Sequence, residues 1–329
     1  MRIVNACRVY ATNKPNPGGM IQVAVHRCAE LAARGHDVHI LTAGGEPAAV
    51  ELDGTTVHHL PCKPLVYSAE YFAACRDACD RLQPDIIHSD GIGDAWWDGL
   101  AGGATVGVTN HGNIMELWLG CWYRHRLGAP NMLPFPADAI RRRADEYGRI
   151  DAVFATNRFE LWELRDVFGC TNAKLLYNPL PAYFFGGVTS PPPGGYFMAV
   201  KDSPSEGTPQ ARVAADRAGV EFRVVRGYAH SEMPGVYDAA RALCSPTMRA
   251  NGFDMIVAEA TARRRPSIVS GIAAYYREAE DRPWIVTVPL GDVEALAGAM
   301  AGDLPDVPEG AADRYRVAAH VDTWLEGLA

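Results

Sequence analysis

The chain has no apolar run near the roughly 20 residues that cross a bilayer, so no membrane-spanning segment is expected. Its N-terminus, MRIVNACRVY, opens as a strand and has neither a signal-peptide core nor a cleavage site. The expectation is a cytoplasmic protein, or one only peripheral to a membrane. Positive charge is also in short supply. The 31 Lys and Arg stand against 39 Asp and Glu, a formal net charge of −8. This argues against a broadly basic surface for nucleic acid or membrane, though a local basic patch could sit within it. The eight cysteines (Cys7, Cys28, Cys62, Cys75, Cys79, Cys121, Cys170, Cys244) never form a Cys-x-x-Cys pair, and Cys75 and Cys79 are merely helix-spaced. Buried free thiols are therefore expected, and cysteine metal ligation is not. No short-period repeat appears.

What is present is a soluble, globular composition in 329 residues, enough for two domains. Strand and helix patterns alternate along it. Arg2 to Ala6 reads as a strand, Met20 to Arg34 as an amphipathic helix stopped by Gly35, and Asp37 to Thr42 as a second strand. Strand, glycine-containing loop, helix and parallel strand make a βαβ nucleotide-binding pattern. Gly18 and Gly19, just before the helix, let the backbone approach an anion that the helix N-terminus favours. Further strands are read at Thr56 to Leu60, Pro84 to His88, Thr105 to Thr109, Ala152 to Thr156 and Lys174 to Asn178. Helices are read at Glu70 to Leu82, Ala137 to Ile150 and Arg158 to Phe168. Trp96 and Trp97 fall on a further helix, with core packing as their default role, and His88 reads as a strand-end structural residue. His111 follows a buried strand, at the mouth of the crevice such sheets form. The aromatic stretch from Asn113 to Pro136, with Arg124, His125 and Arg126, is either an acceptor-side surface or a loop packed for stability. Arg141 to Arg143 reads as a solvated face.

A Pro- and Gly-rich stretch from Leu180 to Gly195 marks the best domain boundary. The expected division is residues 1–180, a linker at 181–190, a second domain at 191–312 and a terminal helix from 313 to 329. In the second half, strands are read at Tyr196 to Val200, Glu221 to Arg226, Ala242 to Cys244, Ser267 to Val269 and Trp284 to Pro289. Helices are read at Thr208 to Ala218, Met233 to Ala240, around Glu278, and from Ala311 to Leu328, with Asp292 as an N-cap. The stretch SPTMRANGFDMIVAEATARRRPSIVS carries the most chemistry. A loop with Asn251 and Gly252 enters a helix apolar at Phe253, Ile256, Val257 and Ala260, and the helix's first amides have no partner within it. Glu259 lies eight residues after Asn251, close to the same face.

NGFDMIVAEA resembles the Glu-x7-Glu element of GT-B glycosyltransferases of the retaining family 4. Gly18-Gly19 followed by LAARGHDVHILT, the Asn178-Pro179 corner, MPGVYDAARALCSPT, the Gly271-to-Glu278 turn and GDVEALA resemble the same family in the same order. The resemblance implies a GT-B α/β fold, two Rossmann-like α/β/α domains facing across a cleft, with the last helix crossing back to the first domain. It implies a retaining glycosyltransferase that moves a sugar from a UDP- or GDP-sugar to an acceptor hydroxyl, with no cofactor and no metal.

Carried over residue by residue, Gly18 and Gly19 would face the donor phosphates and His111 the donor sugar. Lys201 would neutralise the donor diphosphate; Arg226 and Tyr228, read directly from the sequence as ending a strand that faces the cleft, would contact base or phosphate. Asn251, Gly252, Phe253 and Asp254 would line the helix entry, and Glu259 would bind the ribose. His111, Asn251 and Lys201 carry the catalytic expectation. The chain departs from the family at Asn251 (Glu in the family), Asp254 (Gly), Arg264 (commonly Gly) and Glu206, which replaces a second phosphate-binding cation beside Gly207. A carboxylate there repels phosphate. Either the phosphates are held differently, with Ser203 and Ser205 as hydrogen-bond donors, or nucleotide-sugar binding is weakened. The acceptor is left open among a sugar, a lipid-linked sugar and another hydroxyl compound, and nucleic acid is disfavoured by charge. A binding-only pseudoenzyme, a sugar-nucleotide epimerase or phosphorylase, and a glycosyltransferase of modified DNA bases stay open as alternatives.

Overall fold

The computed structural model of the protein describes residues 1–7, 10, 19–62, 69–90, 103–111, 144–192, 194–248 and 254–329. Expectations for Gly18, Trp96, Trp97, the aromatic segment at 113–136, Arg141 to Arg143, Asn251, Gly252 and Phe253 lie outside the described residues.

Two sheets carry the architecture. The first contains β1 (Arg2–Ala6), β2 (Asp37–Ala43), β3 (Ala48–Leu52), β4 (Thr55–Leu60), β5 (Ile86–Asp90), β6 (Thr105–Asn110), β7 (Ala152–Ala155) and β8 (Ala173–Leu175). Their order is β3-β4-β2-β1-β5-β6-β7-β8. All pairings are parallel except β3 with β4. Sequence reading missed β3, which is a largely exposed antiparallel edge. Asp53-Gly54, both at positive φ, turn it into β4, and Asp-Gly is the residue pair such hairpins select.

Alternation in β1 explains how the sheet is covered on both faces. Ile3 points with Ile40 and Ile86 towards Ala24, Cys28 and Leu31 of α1 (Gly19–Ala33). Val4 points with Leu41 and Ile87 to the other face, against Tyr71, Cys75 and Cys79 of α2 (Ala69–Leu82). The seven described cysteines are buried, and none is in a disulfide.

The second sheet contains β9 (Tyr196–Ala199), β10 (Phe222–Val224), β11 (Ala240–Ser245), β12 (Ser267–Ser270) and β13 (Ile285–Val288), in the order β10-β9-β11-β12-β13, all parallel. After α3 (Arg158–Trp162) in the first lobe, the helices here are α4 (Thr208–Ala218), α5 (Met233–Ala239), α6 (Met255–Ala262), α7 (Ala273–Ala279) and α8 (Val293–Ala301). The Asp292 side chain caps α8 by accepting from the Ala295 amide at 2.9 Å.

Three readings of local structure are corrected. The helix read to Phe168 ends as α-helix at Trp162 and continues as a π turn over Glu163–Val167. The strand read to Arg226 stops at Val224, leaving Arg226 in the loop. The terminal helix α9 (Val317–Leu328) begins later than Ala311, after a separate 3-10 turn at Asp313–Tyr315. Arg264 is at φ 55, a left-handed conformation that glycine adopts without strain.

α9 lies against α1 and buries Trp324 among Ile3, Ala24 and Phe154 of the first lobe. Trp324 Nε1 donates to His88 Nδ1 at 3.0 Å, and Lys174 Nζ donates to the Gly327 carbonyl at 2.6 Å. A Cβ on Gly327 would meet the Phe154 ring at 2.5 Å, so only glycine permits this approach. The two lobes also meet through Arg158, whose guanidinium forks onto Asp281 at 2.9 and 2.7 Å and whose amide donates to Glu278 at 2.8 Å. Both sheets reverse strand order beside their first strand, β1 in one and β9 in the other. In open α/β sheets, ligands bind outside the strand C-termini at such points.

Trp324→Ala should cost about 3–5 kcal/mol, the usual scale for emptying a buried indole site. A lowered urea midpoint measures it, and an unchanged midpoint would show that α9 does not anchor the fold.

Candidate functional site

On the first lobe, the strand ends at the switch point converge on one carboxylate. Asp90 closes β5 and is fully buried. Arg27, from the middle of α1 and equally buried, contacts its two oxygens at 3.0 and 2.9 Å. Asn5 of β1 donates to Asp90 at 3.1 Å and accepts from Arg27 at 2.7 Å. His111, one residue beyond β6, places Nε2 at 3.3 Å from Asp90 Oδ1, with its side chain 13% exposed. Burial pushes the Asp90 pKa up, but Arg27 and the hydrogen bonds from His111 and His88 outweigh it and hold the carboxyl well below its usual range. The result is an ionised, neutralised carboxylate that fixes the His111 ring.

His88 belongs to the scaffold. Its Nδ1 accepts from the donor-only Trp324 indole, so in the neutral ring Nε2 carries the proton. That nitrogen lies 3.0 Å from Thr109 Oγ1. Burial, with Arg27 beside it, lowers the His88 pKa to about 4.

On the second lobe, Lys201 follows β9 and lies 3.6 Å from Glu206. Its carbonyl accepts from Thr208 Oγ1 at 2.7 Å. Arg226 pairs with Asp202, while Tyr228 is 56% exposed. Asp254 is the N-cap residue of α6, yet its side chain caps no amide. Its Oδ2 accepts from Tyr275 at 3.0 Å instead. Glu259, in the second turn of α6, is 5% exposed. Its Oε2 accepts from Tyr237 at 2.8 Å, and its Oε1 lies 2.9 Å from His230 Nε2. His230 Nδ1 is in turn 2.8 Å from the Tyr183 hydroxyl.

The two halves come together at their helix tips. A Cβ on Gly19, at the start of α1, would lie 3.5 Å from Met255 Cγ, at the start of α6. His26 of α1 and His230 are within electrostatic reach: burial, then the charge of His230, lowers the His26 pKa. Of the predicted residues, Gly19 and Asp254 therefore lie at this junction. His111 stands on the first lobe's edge, Lys201, Arg226 and Tyr228 follow strands of the second, and Glu259 lies inside the wall. Among the described residues, no group of three or more His, Cys, Asp or Glu side chains is placed to hold a metal ion.

Sequence reading missed Arg27, Asp90, His230 and Tyr237. Arg27 had a signal, since it falls at helical spacing between Val23 and Leu31, on the buried stripe of α1. Asp90 ends the strand IIHSD, which Ile86 and Ile87 mark as buried, and a charge there asks for a partner.

The profile of Glycosyltransferase Family 4 matches residues 17–181, just over half the chain. The chain belongs to glycosyltransferase family 4. It is accordingly a transferase of glycosyl groups. Solved structures share its fold. A sucrose-phosphate synthase from Thermosynechococcus elongatus is 16% identical with a TM-score of 0.67, the match covering 99% of this chain and 94% of that one. Anabaena HepE, in complex with UDP and glucose, is 13% identical with a TM-score of 0.68, covering 99% and 98%. A glycosyltransferase from Rickettsia africae is 13% identical with a TM-score of 0.63, covering 100% and 94%. No curated protein matches the sequence. The fold is thus GT-B, as the resemblance implied. Among the described residues, no helix of this glycosyltransferase is long and apolar enough to cross a membrane.

The buried imidazoles set the acid limit of stability. His88 is lowered to about 4, and His320, buried and donating from Nδ1 to the Tyr177 carbonyl at 2.8 Å, to about 3. Their unfolded counterparts protonate near 6.5. As pH falls through that value the unfolded chain gains protons that the folded chain refuses, so stability drops. Each should cost about 2 kcal/mol by roughly pH 5. Urea unfolding at several pH values measures this, and a flat profile between pH 7 and 5 would contradict the neutral-imidazole assignment.

Proposed function

We propose that the protein is a retaining, metal-independent glycosyltransferase that transfers a sugar from a UDP- or GDP-sugar to an acceptor hydroxyl in the cytoplasm. The observation that carries this reading is the apposition of Gly19 and Met255, which brings two helix N-termini together at the switch points of two sheets. Unpaired amides at helix N-termini favour anions. The Asp254 side chain leaves the α6 amides uncapped. The UDP and glucose bound to HepE support a nucleotide-sugar ligand for the same fold.

In the proposed reaction, the bond from C1 of the sugar to the diphosphate breaks as the acceptor oxygen bonds to C1 on the same face. The acceptor proton passes to the departing phosphate oxygen. The Gly18-Gly19 amides, the α6 N-terminus with Asn251, Gly252 and Phe253 before it, and Lys201 offset the charge that develops on the leaving group. His111, held by Asp90, offers its other ring nitrogen to the sugar. Glu259 receives the ribose hydroxyls, since each carboxylate oxygen has capacity beyond its bond to Tyr237 or His230. Arg226 and Tyr228 border the base. A second reading, a nucleotide-sugar-binding protein with weakened catalysis, is favoured by the ion pair that occupies Lys201.

Transfer and hydrolysis measured over UDP- and GDP-sugars, with and without EDTA, test the reaction. Turnover that survives EDTA and keeps the anomeric configuration is expected; an inverted product or loss of turnover refutes the retaining or metal-free assignment. Nucleotide binding without turnover would favour the second reading. Glu259→Ala should weaken nucleotide binding by about 1–3 kcal/mol, and an unchanged dissociation constant in calorimetry would remove Glu259 from the ribose site. His111→Ala should lower kcat by about a hundredfold with nucleotide affinity intact. Unaltered kcat would leave His111 only a structural part.

A further inference from the structure

Among the described residues, the second lobe presents three cations around the C-terminal edge of its sheet, and each already faces a carboxylate. Arg226 and Arg212 share Asp202, Arg212 at 3.0 Å. Lys201 lies 3.6 Å from Glu206. Asp254 adds a third carboxylate at the tip of α6. Among the described residues, three cations stand against three carboxylates at this edge, where a diphosphate calls for an excess of positive charge.

Glu206 differs from an ordinary surface partner. The Lys201 side chain is 46% exposed, whereas that of Glu206 is 7%. The ammonium reaches into open space and the carboxylate is set into the wall. Its backbone is held on both sides. Pro204–Glu206 forms one 3-10 turn, closed by Gly207 at φ 72. A Cβ on Gly207 would fall 1.9 Å from the Pro246 carbonyl oxygen, and the Met248 amide donates to the Ser205 carbonyl at 2.9 Å. The turn is therefore fastened to the segment leading into α6 and cannot carry Glu206 away. Burial first, then the charges of Asp254 and Glu206, hold the Tyr275 phenol well above its ordinary range, which places Glu206 electrically within the same edge.

We propose that Glu206 is a specificity-determining residue of the donor site, an internal counter-ion of Lys201 that makes nucleotide phosphates compete for it. The inference rests on the donor-site reading above. Recognition then falls on the uncharged nucleoside and sugar. The free nucleoside diphosphate released by transfer carries one more ionisable oxygen than its sugar ester. Glu206 therefore disfavours the product more than the donor, and it speeds release of the spent nucleotide.

Calorimetry of UDP, GDP, uridine and guanosine on the wild type, Glu206→Gln, Lys201→Gln and the double variant tests this. The two phosphates should gain the wild type less than about tenfold over the nucleoside, and Glu206→Gln should tighten diphosphate binding by about tenfold while leaving the nucleoside unchanged. Lys201→Gln should weaken diphosphate binding less in the wild-type background than in the Glu206→Gln background, so that the gain is lost in the double variant. An unchanged or weaker diphosphate affinity in Glu206→Gln, equal tightening of the nucleoside, or additive effects of the two substitutions would overturn the proposal and leave the donor site standing. Should Glu206→Gln fail to fold by thermal melting, the wild type decides alone, since a phosphate gain above about tenfold overturns the proposal. A wild type that binds none of the four probes would defeat the donor-site reading together with it.

Discussion

The first lobe is built around a carboxylate taken out of water. Asp90 sits at the end of β5 with no exposure, and its charge is tolerable only because Arg27, Asn5 and the ring of His111 converge on it. Desolvating two charges costs several kcal/mol per ion, and a buried pair recovers that only with good geometry and added hydrogen bonds. The same contacts dictate position. Arg27 locks α1 to the switch point, which sets where Gly19 begins the helix. His111 is held on the same carboxylate, at 3.3 Å from Oδ1. Hydrophobic replacements of such buried ionic groups are often neutral or stabilising, but they would orient no ring.

α9 completes this lobe from the far end of the chain. Trp324 fills the face that α1 leaves open and settles the tautomer of His88 by giving it an indole N–H. Leu180 pairs with the chain at Arg316 where it passes between the lobes. The Arg158–Asp281 fork and the Glu278 contacts with Arg158 and Tyr177 join the lobes elsewhere. The two helix tips therefore meet by several independent attachments rather than by one hinge contact.

The lobes differ in how they treat charge. In the first, a buried anion and a buried cation neutralise one another and orient an imidazole. In the second, the cations at the sheet edge are half in solvent, Arg212 and Arg226 sharing Asp202 and Lys201 facing Glu206. A transferase needs its donor held and then its nucleotide released. A carboxylate already paired with Lys201 shifts that balance towards release.

Periodicity and turn residues were enough to find most strands and helices, because continuous apolar runs and helical stripes are local properties. The exposed β3 escaped because its residues carry no alternation, although the Asp53-Gly54 turn beside it was readable. The early start assigned to α9 failed because nothing local distinguishes the 3-10 turn at Asp313–Tyr315 from a first helical turn. By itself the sequence determined two α/β halves, their family, and which loops could approach a phosphate, since strand, loop and helix order follows from residue types along the chain. Only the tertiary structure decided that Asp90 meets Arg27 and His111, that Glu259 is held by Tyr237 and His230, and that Glu206 captures Lys201. Those partners lie between 5 and 63 residues apart, and the energy of a charge is set by what surrounds it in space rather than in sequence.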